Sequence, residues 1–374
     1  MSNYKVKLNN LRNRRLGETS SITLDSASSL SGLESLIYNS RSKKENYETR
    51  ASGEATKYAL GSMQEVGARY TEISYEEGNR VISQISNGLN ALPLKTSFEF
   101  QGSVPLNVHI RGVSDVDILV LHEEFVTLDW NGPTAHTYGR LPLLPTSLEQ
   151  IQHLRLECEK LLKSRYYAAK VDISGDKSIS LSGGSLRRKI DIVPSHWHHP
   201  ASFQSSQQKH DKEVRILHKS KKELLTNSPF LHMQMLDNKD LQTNGGAKKV
   251  IRLLKNIKND SDLGINLSSY DIASLVWHFD GSLLTKPSYM ELALVSETQQ
   301  KLELMILLEA HTRSLRTPDG SRKIIDTEEK WTSLILLNDE LIALSEQIIR
   351  EVKPHLYYNS LPAVRRALSE SYIY

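Results

Sequence analysis

Apolar side chains recur every three or four residues over much of this chain, which is the pattern of helices that bury one face. In the stretch EEGNRVISQISNGL, Val81, Ile85 and Leu89 share such a face, and Gly88 lies near its end. The stretch SLEQIQHLRLECEKLLKSRY repeats the pattern after a serine cap. The predicted helices cover 54–92, 147–166, 209–226, 246–259, 268–281, 288–315 and 327–352.

Shorter segments alternate apolar and polar residues, as half-buried strands do. A Gly- and Pro-containing loop is predicted over 125–146, and the N-terminal residues are polar and rich in serine. The chain therefore divides into a polar, loosely docked arm over 1–50, a mixed α/β half over 51–205 and a helical half over 206–374. The predicted strands are TSFEFQGS (96–103), SDVDILVL (114–121), AAKVDISG (168–175), SISLSGG (178–184) and RRKIDIVPSHW (187–197).

Composition narrows the possible classes of protein. The net charge of +3 over 374 residues is too small for a protein that coats nucleic acid, so we expect no stable DNA binding. The one cysteine, Cys158, excludes a disulfide framework and a Cys-rich zinc site, and we expect it to be a buried core thiol. No apolar run is long enough for a signal peptide or a membrane span, so we expect a cytoplasmic protein.

Two aspartates interrupt the apolar strand 114–121. Asp115 and Asp117 are two residues apart, so their side chains point to the same face of the strand. Two carboxylates so close repel each other unless a cation lies between them, and Mg²⁺ is the oxygen-preferring ion that suits such a pair. Asp191, between the apolar Ile190 and Ile192, supplies a third carboxylate on another strand. The pattern predicts a two-metal site in which these aspartates are the ligands, with Mn²⁺ as a possible substitute.

The Gly-Ser pair at 102–103 fits a site of this kind. Gly102 allows the backbone to approach a ligand closely, and the Ser103 hydroxyl is suited to phosphate oxygens. A simple turn would explain the pair equally well, and an exposed edge or a calcium-type site would explain Asp-x-Asp. The two motifs in this order, with a third aspartate on a strand, favour the phosphate and metal interpretation.

The helical half offers further polar candidates. Lys248, Arg252 and Lys255 lie roughly opposite the apolar face of AKKVIRLLKNIKND, a basic stripe able to meet a triphosphate, although such stripes are usually only solvated. In INLSSYDIASLVWH, Ser268 or Ser269 is a suitable N-cap for the next helix.

These motifs together resemble those of a known family. The frame of Gly102, Ser103, Ser114, Asp115 and Asp117, followed by KIDIVP, is similar to that of the DNA polymerase β-type nucleotidyltransferases. It most resembles the bacterial cGAS/DncV-like enzymes (CD-NTases), relatives of cyclic GMP–AMP synthase and oligoadenylate synthase. The chain departs from the family at LNVH (106–109), where the family often has Gly-Thr.

The resemblance implies an α+β fold: a polymerase β-like mixed-sheet catalytic core over 51–205, a helical C-terminal domain over 206–374 and a central cleft between two lobes. Asp115, Asp117 and Asp191 would be catalytic metal ligands. Lys255 and Ser269 would hold the triphosphate and Tyr270 would stack on the base. The implied nucleotide-binding set is Gln101, Gly102, Ser103, Lys255, Ser269 and Tyr270.

The implied function is Mg²⁺-dependent synthesis of a second messenger from ATP, GTP or pyrimidine nucleoside triphosphates. The product would be a cyclic di- or trinucleotide or a short oligonucleotide, made in anti-phage defence (CBASS) and sensed by a separate effector protein. Two alternatives remain open: the same chemistry on a macromolecular acceptor, such as RNA tailing or protein nucleotidylation, and an inactive transferase fold used as a binding scaffold. The C-terminal RRALSESYIY is expected to be a frayed end or a tail that a partner grips.

Overall fold

One mixed sheet of seven strands forms the centre of the first half of the molecule. The computed structural model describes residues 3–16, 45–92, 94–139, 145–355 and 360–374. Strands β1, β2, β5, β4 and β3 lie side by side in that order, and β6 and β7 extend the sheet from β5. Among the strands of the described residues, only the β2–β5 pair is parallel. The strands are β1 (Thr96–Gln101), β2 (Val116–Leu128), β3 (Lys170–Asp172), β4 (Ile179–Ser182), β5 (Ile190–His199), β6 (Glu213–His218) and β7 (Glu223–Asn227).

Fourteen α-helices surround the sheet or form the second half, as counted over the described residues, and three short 3₁₀ turns join them. The helices are α1 (Tyr4–Leu16), α2 (Asn46–Arg50), α3 (Glu54–Met63), α4 (Ala68–Leu89), α5 (Ser147–Arg165), α6 (Ala201–Ser206), α7 (Pro229–Gln242), α8 (Gly246–Asn259), α9 (Ser269–Trp277), α10 (Gly281–Leu284), α11 (Glu291–Leu307), α12 (Glu309–Thr312), α13 (Glu328–Val352) and α14 (Leu361–Ser369).

Period-two alternation in β2 determines which side chains enter the core. Val116 and Ile118 are 1% and 0% exposed and pack with α4 and α5, and Cys158 of α5 is buried there as expected. Leu119 and Leu121 point to the other face of the sheet, where Phe230 of α7 covers them. Asp115 and Asp117 belong to this second face by the same alternation, at the point where the strand begins.

The second half is built around a larger helical core. Its buried side chains come from α3, α8, α9, α11, α13 and α14, and Leu8 and Leu11 of α1 join them. In the part of the chain that the structure describes, no helix combines the length and apolar character that a membrane crossing requires.

The expectation of a loosely docked N-terminal arm is wrong for residues 4–16. They form a helix because Tyr4, Leu8 and Leu11 recur at helical spacing and bury themselves at 6%, 1% and 2% exposure. Residues 17–44 of the predicted arm lie outside the described residues. The expected frayed C-terminus, 365–374, is also wrong, since Leu368 of α14 and Ile373 beyond it are buried in the helical core.

Two other predicted segments differ from the structure. Residues 209–226 are not a helix but mainly a β-hairpin. Val214 and Ile216, two residues apart, point to one face of the sheet and pack there with Leu119 and Leu121, which requires an extended strand. The predicted loop over 125–146 begins too early, since β2 runs to Leu128, and residues 140–144 lie outside the described residues. The mixed sheet therefore extends to residue 227, beyond the predicted end of the α/β half at 205.

Candidate active site

Three aspartates meet at the edge of the second face of the sheet. In the parallel β2–β5 pair, Asp117 lies directly opposite Asp191. In the antiparallel β1–β2 pair, Gln101 lies opposite Asp117 on its other side. Asp115 immediately precedes β2. The strand pairing thus places the three predicted carboxylates close together although 76 positions separate Asp115 from Asp191 in sequence.

Gly102 is needed to make room for one of these carboxylates. Its φ is +79°, a left-handed conformation that a residue with a side chain adopts only with strain. A Cβ atom at this position would lie 2.4 Å from Asp117 Oδ2. Ser103, next in the chain, closes the following turn by accepting a hydrogen bond from Val108 N at 3.0 Å. Glycine at 102 therefore permits close approach, as expected, and the group that approaches is the protein's own aspartate.

An ammonium group lies among the carboxylates. Lys189 Nζ donates to Asp115 Oδ2 at 2.5 Å and lies 3.7 Å from Asp191 Oδ1. These two carboxylate oxygens are therefore no farther apart than the sum of those distances, 6.2 Å. Lys189 was missed at the sequence level, although it immediately precedes β5, two residues before Asp191, and so shares its face.

The carboxylates carry more negative charge than one lysine balances. Burial raises the pKa of Asp117 to about 7, and repulsion from Asp191 and Asp115 adds to that shift. Burial also raises the pKa of Asp115, against the hydrogen bond from Lys189 that lowers it. A further cation at this place would lower both pKa values and stabilise the ionised carboxylates.

The donor set fits a hard divalent cation. Asp191 Oδ1 is buried and accepts no hydrogen bond, so this carboxylate oxygen is available to bind a metal ion. All three candidate ligands are carboxylates, the donors that Mg²⁺ and Mn²⁺ prefer. Among the described residues, no three acidic, histidine or cysteine side chains are arranged closely enough to hold a metal ion as they stand. Instead, Asp115 and Asp191 both pair with the Lys189 ammonium.

The predicted basic stripe on α8 is not a solvent-facing stripe. Arg252 is buried and donates to the carbonyl oxygens of Met63 and Asn107, both at 2.8 Å, while Lys248 pairs with Asp237 at 2.7 Å. The helix is buried on nearly all sides, since α3 and the loop after β1 cover the face that was expected to be open.

Lys255 lies under the loop that joins β1 to β2. It is 4% exposed and donates to the carbonyl oxygen of Val108 at 2.6 Å, and its Nζ lies 3.5 Å from Ser114 Oγ. Burial lowers the pKa of Lys255 to about 7, and attraction to Asp117 opposes that change. The lysine therefore lies beneath the Ser103–Ser114 loop, which it supports, and is not among the residues that line the cavity described below.

A cavity of about 510 Å³ opens beside the carboxylates. One end holds Asp115, Asp117 and the Gly-Ser turn, and the other end is formed by α7 and α9. This volume is within the usual range of small-molecule sites. The lining residues are Gln101, Gly102, Ser103, Leu106, Val108, Val113, Ser114, Asp115, Asp117, Asn227, Pro229, His232, Met233, Ser268, Ser269, Tyr270 and Ala273.

Ser269 and Tyr270, at the start of α9, line the same cavity. Ser268 is the N-cap of α9 and forms a capping box with Asp271, so the hydroxyl of Ser269 is not used as the cap and faces solvent. The ring of Tyr270 stacks on His232 of α7, with centroids 3.8 Å apart and planes 17° from parallel. His232 was missed at the sequence level, because nothing in α7 singles out one histidine before its neighbours in space are known.

Comparisons with known proteins agree on one family. The profile of the cGAS/DncV-like nucleotidyltransferase C-terminal helical domain matches residues 234–336. The chain is 38% identical over 312 residues to the cyclic dinucleotide synthase CdnE of Yersinia aleksiciae, covering 82% of this chain and 80% of the relative. It is 30% identical over 263 residues to a c-di-GMP synthase of Lachnospiraceae bacterium (strain RUG226), covering 65% and 74%.

A solved structure extends the similarity to the whole fold. The STING-associated CdnE c-di-GMP synthase of Capnocytophaga granulosa superposes with a TM-score of 0.69 at 26% identity. The match covers 92% of this chain and 97% of that one. The mixed sheet and the helical half are therefore shared as one arrangement.

Proposed function

Because this chain belongs to the bacterial cGAS/DncV-like nucleotidyltransferases, we propose that it joins two nucleoside triphosphates into a cyclic dinucleotide with the aid of Mg²⁺. Membership confirms the resemblance, the α+β fold class and the nucleotidyltransferase type that the sequence predicted. The relatives named above are themselves cyclic dinucleotide synthases, which favours a two-nucleotide ring over a longer product.

One observation carries the proposal: a carboxylate pair in register across two parallel strands adjoins a nucleotide-sized cavity. Asp117 and Asp191 face each other there, with Asp115 beside them. An aromatic ring, Tyr270, lies at the far end of the cavity. A nucleotide laid along the cavity would bring its triphosphate to the carboxylates and its base to this ring.

The chain's own residues would mostly position the substrate, since phosphoryl transfer needs charge neutralisation and alignment more than covalent help. Bound Mg²⁺, held by Asp115, Asp117 and Asp191, would activate the attacking ribose hydroxyl and neutralise the leaving pyrophosphate. Ser103 and Ser269 would donate hydroxyl hydrogen bonds to the triphosphate.

Aromatic and basic groups complete the proposed site. The Tyr270 ring would stack on the base, since base–aromatic stacking tolerates any base. Lys255 would hold the Ser103–Ser114 loop in place and add positive charge behind it, because its ammonium is bonded to the loop carbonyl of Val108. Gln101, opposite Asp117, would border the reacting phosphate.

The test is product analysis by mass spectrometry. Purified protein with Mg²⁺ and all four ribonucleoside triphosphates is expected to yield a phosphatase-resistant cyclic dinucleotide and pyrophosphate. The double variant D115N/D117N is expected to yield none while remaining folded by circular dichroism. The variant D262N/D339N makes the same change of charge at two exposed aspartates and should retain activity.

If nucleotides are instead added to RNA or to the protein itself and no small product forms, the result would favour a macromolecular acceptor. Full activity of D115N/D117N would refute the site. We also propose that the product activates a separate effector during phage infection. Cells carrying this gene and its neighbours should then resist plaque formation, and the D115N/D117N allele should not protect them.

A further inference from the structure

The contacts of Lys189 suggest a role that goes beyond supporting the fold. Its ammonium pairs with Asp115 at 2.5 Å and with Asp191 at 3.7 Å, and these are two of the three carboxylates assigned to the metal. An ammonium in this position supplies the positive charge that a metal ion would otherwise supply. A divalent cation on the same carboxylates would lie close to this ammonium, and because the two cations repel, the ammonium opposes metal binding while it stays there.

Lys189 can leave this position without disturbing the strand. Its side chain is 45% exposed, whereas those of Asp115 and Asp191 are 29% and 18% exposed. The neighbouring Ile190 and Ile192 are fully buried and fix the backbone of β5. A flexible four-carbon stem that starts next to a rigid strand can swing into solvent, where water solvates the ammonium.

We propose that Lys189 is an internal competitor of the divalent cation: it partly balances the charge of Asp115 and Asp191 in the metal-free protein and weakens metal binding until it withdraws. This inference rests on the proposed function only in taking these carboxylates as the metal ligands. It means that the protein can fold without metal and that its metal affinity is set below the value that the carboxylates alone would give.

The first test measures Mn²⁺ binding in the absence of nucleotide by electron paramagnetic resonance. K189M is expected to bind Mn²⁺ about tenfold more tightly than wild type, because a repelling charge a few ångströms from the ion is removed. K189R keeps a cation and should stay close to wild type. The matched control is K209M, which removes an exposed lysine paired with Glu99 at 2.6 Å and makes the same change of net charge. It too should match wild type.

Equal or weaker Mn²⁺ affinity in K189M would overturn the inference, and so would equal tightening in K209M. D115N/D117N is included to separate this result from the proposed function. If that variant binds Mn²⁺ as wild type does, the metal site itself is wrongly assigned, whatever K189M does.

Thermal unfolding gives a second readout that a structural lysine would not produce. Without metal, K189M is expected to melt below wild type, because Asp115 and Asp191 lose their counter-charge. Saturating Mg²⁺ should close that difference, since the ion then replaces the ammonium. A difference in melting temperature that is the same with and without Mg²⁺ would show a purely structural role and overturn the inference.

Discussion

Two buried charged regions of this molecule are built in opposite ways. At the junction of α1 with α8, Arg14 makes a two-pronged ion pair with Asp260 at 2.5 and 2.7 Å, and Tyr58 donates to the same carboxylate. In the acidic cleft formed by Asp115, Asp117 and Asp191, one partly exposed lysine pairs with two of the three carboxylates, Asp115 and Asp191. The opposite charges at the junction are paired within the protein alone, whereas the cleft becomes balanced only with an added cation.

The difference teaches where stability and function reside. Matched buried charges cost little once formed and lock the N-terminal helix onto the helical half. Unmatched buried charges raise the free energy of the protein, and a ligand that neutralises them recovers that energy as binding. The predictions below remove one side of this comparison at a time.

The largest expected effect comes from breaking the junction. R14M leaves Asp260 buried without its cation, so we expect a loss of about 3–5 kcal/mol in the free energy of unfolding, measured by urea denaturation. R12M removes a more exposed pair with Glu48 and should cost less than about 1 kcal/mol. Activity per folded molecule should be unchanged in both. A small loss in R14M would show that the two regions do not differ as argued.

The next effect comes from distorting the cleft without changing its charge. G102A places a methyl group 2.4 Å from Asp117 Oδ2, so the carboxylate must move. We expect kcat/KM for product formation to fall about 100-fold, since small misplacements at a reacting centre are costly. G183A is the control, because Gly183 also has a positive φ of +74° but open space around its Cβ position. Similar losses in both variants would point to backbone strain alone.

The pH dependence of stability isolates the surplus charge in the cleft. Asp117 has a pKa of about 7 in the folded protein and about 4 when unfolded, so the metal-free protein loses stability from this group as pH rises from 4 through 7. D117N lacks that titration. Its stability advantage over wild type should grow across this interval, by up to about 4 kcal/mol, and then level off.

Urea unfolding at pH 5, 6, 7 and 8 in EDTA measures this advantage. Mg²⁺ should reduce it by stabilising wild type alone, because only the intact cleft gains a ligand. An advantage that is the same at every pH would mean that Asp117 is ionised in the folded protein throughout.

The smallest expected effect lies at the far end of the cavity, which carries no surplus charge. Y270A removes the ring that would stack on the base and should weaken nucleoside triphosphate binding about tenfold, measured by calorimetry with D115N/D117N present to prevent turnover. Y270F keeps the ring and should bind normally. Y289A, at an exposed tyrosine beside the C-terminus, is the matched control. Unchanged affinity in Y270A would leave Tyr270 as a packing partner of His232.

The acidic cleft was largely predictable from sequence, and the junction was not. Period-two spacing and flanking apolar residues identify Asp115, Asp117 and Asp191, because local alternation determines the face of a strand. The same spacing was available for Lys189, two residues before Asp191, although the sequence analysis did not single it out. The Arg14–Asp260 pair joins residues 246 positions apart, and only the packing of α1 onto α8 brings them together.

Composition misled the assignment of whole segments. The N-terminal residues are polar overall, yet three apolar positions are enough to dock α1 as a helix. The hairpin of β6 and β7 is rich in lysine and glutamate, which favoured a helix, but a neighbouring strand of the sheet imposed the extended form. Tertiary context decided both cases, and a single sequence does not contain it.

The most direct test of the central claim is the position of a bound metal in a crystal. Crystals grown with Mn²⁺ and a non-hydrolysable nucleoside triphosphate should show anomalous density about 2.1 Å from oxygens of Asp115, Asp117 and Asp191. The triphosphate should lie against that density and the Lys189 ammonium should have left Asp115. Anomalous density elsewhere, or a nucleotide bound with these three carboxylates unengaged, would contradict the account.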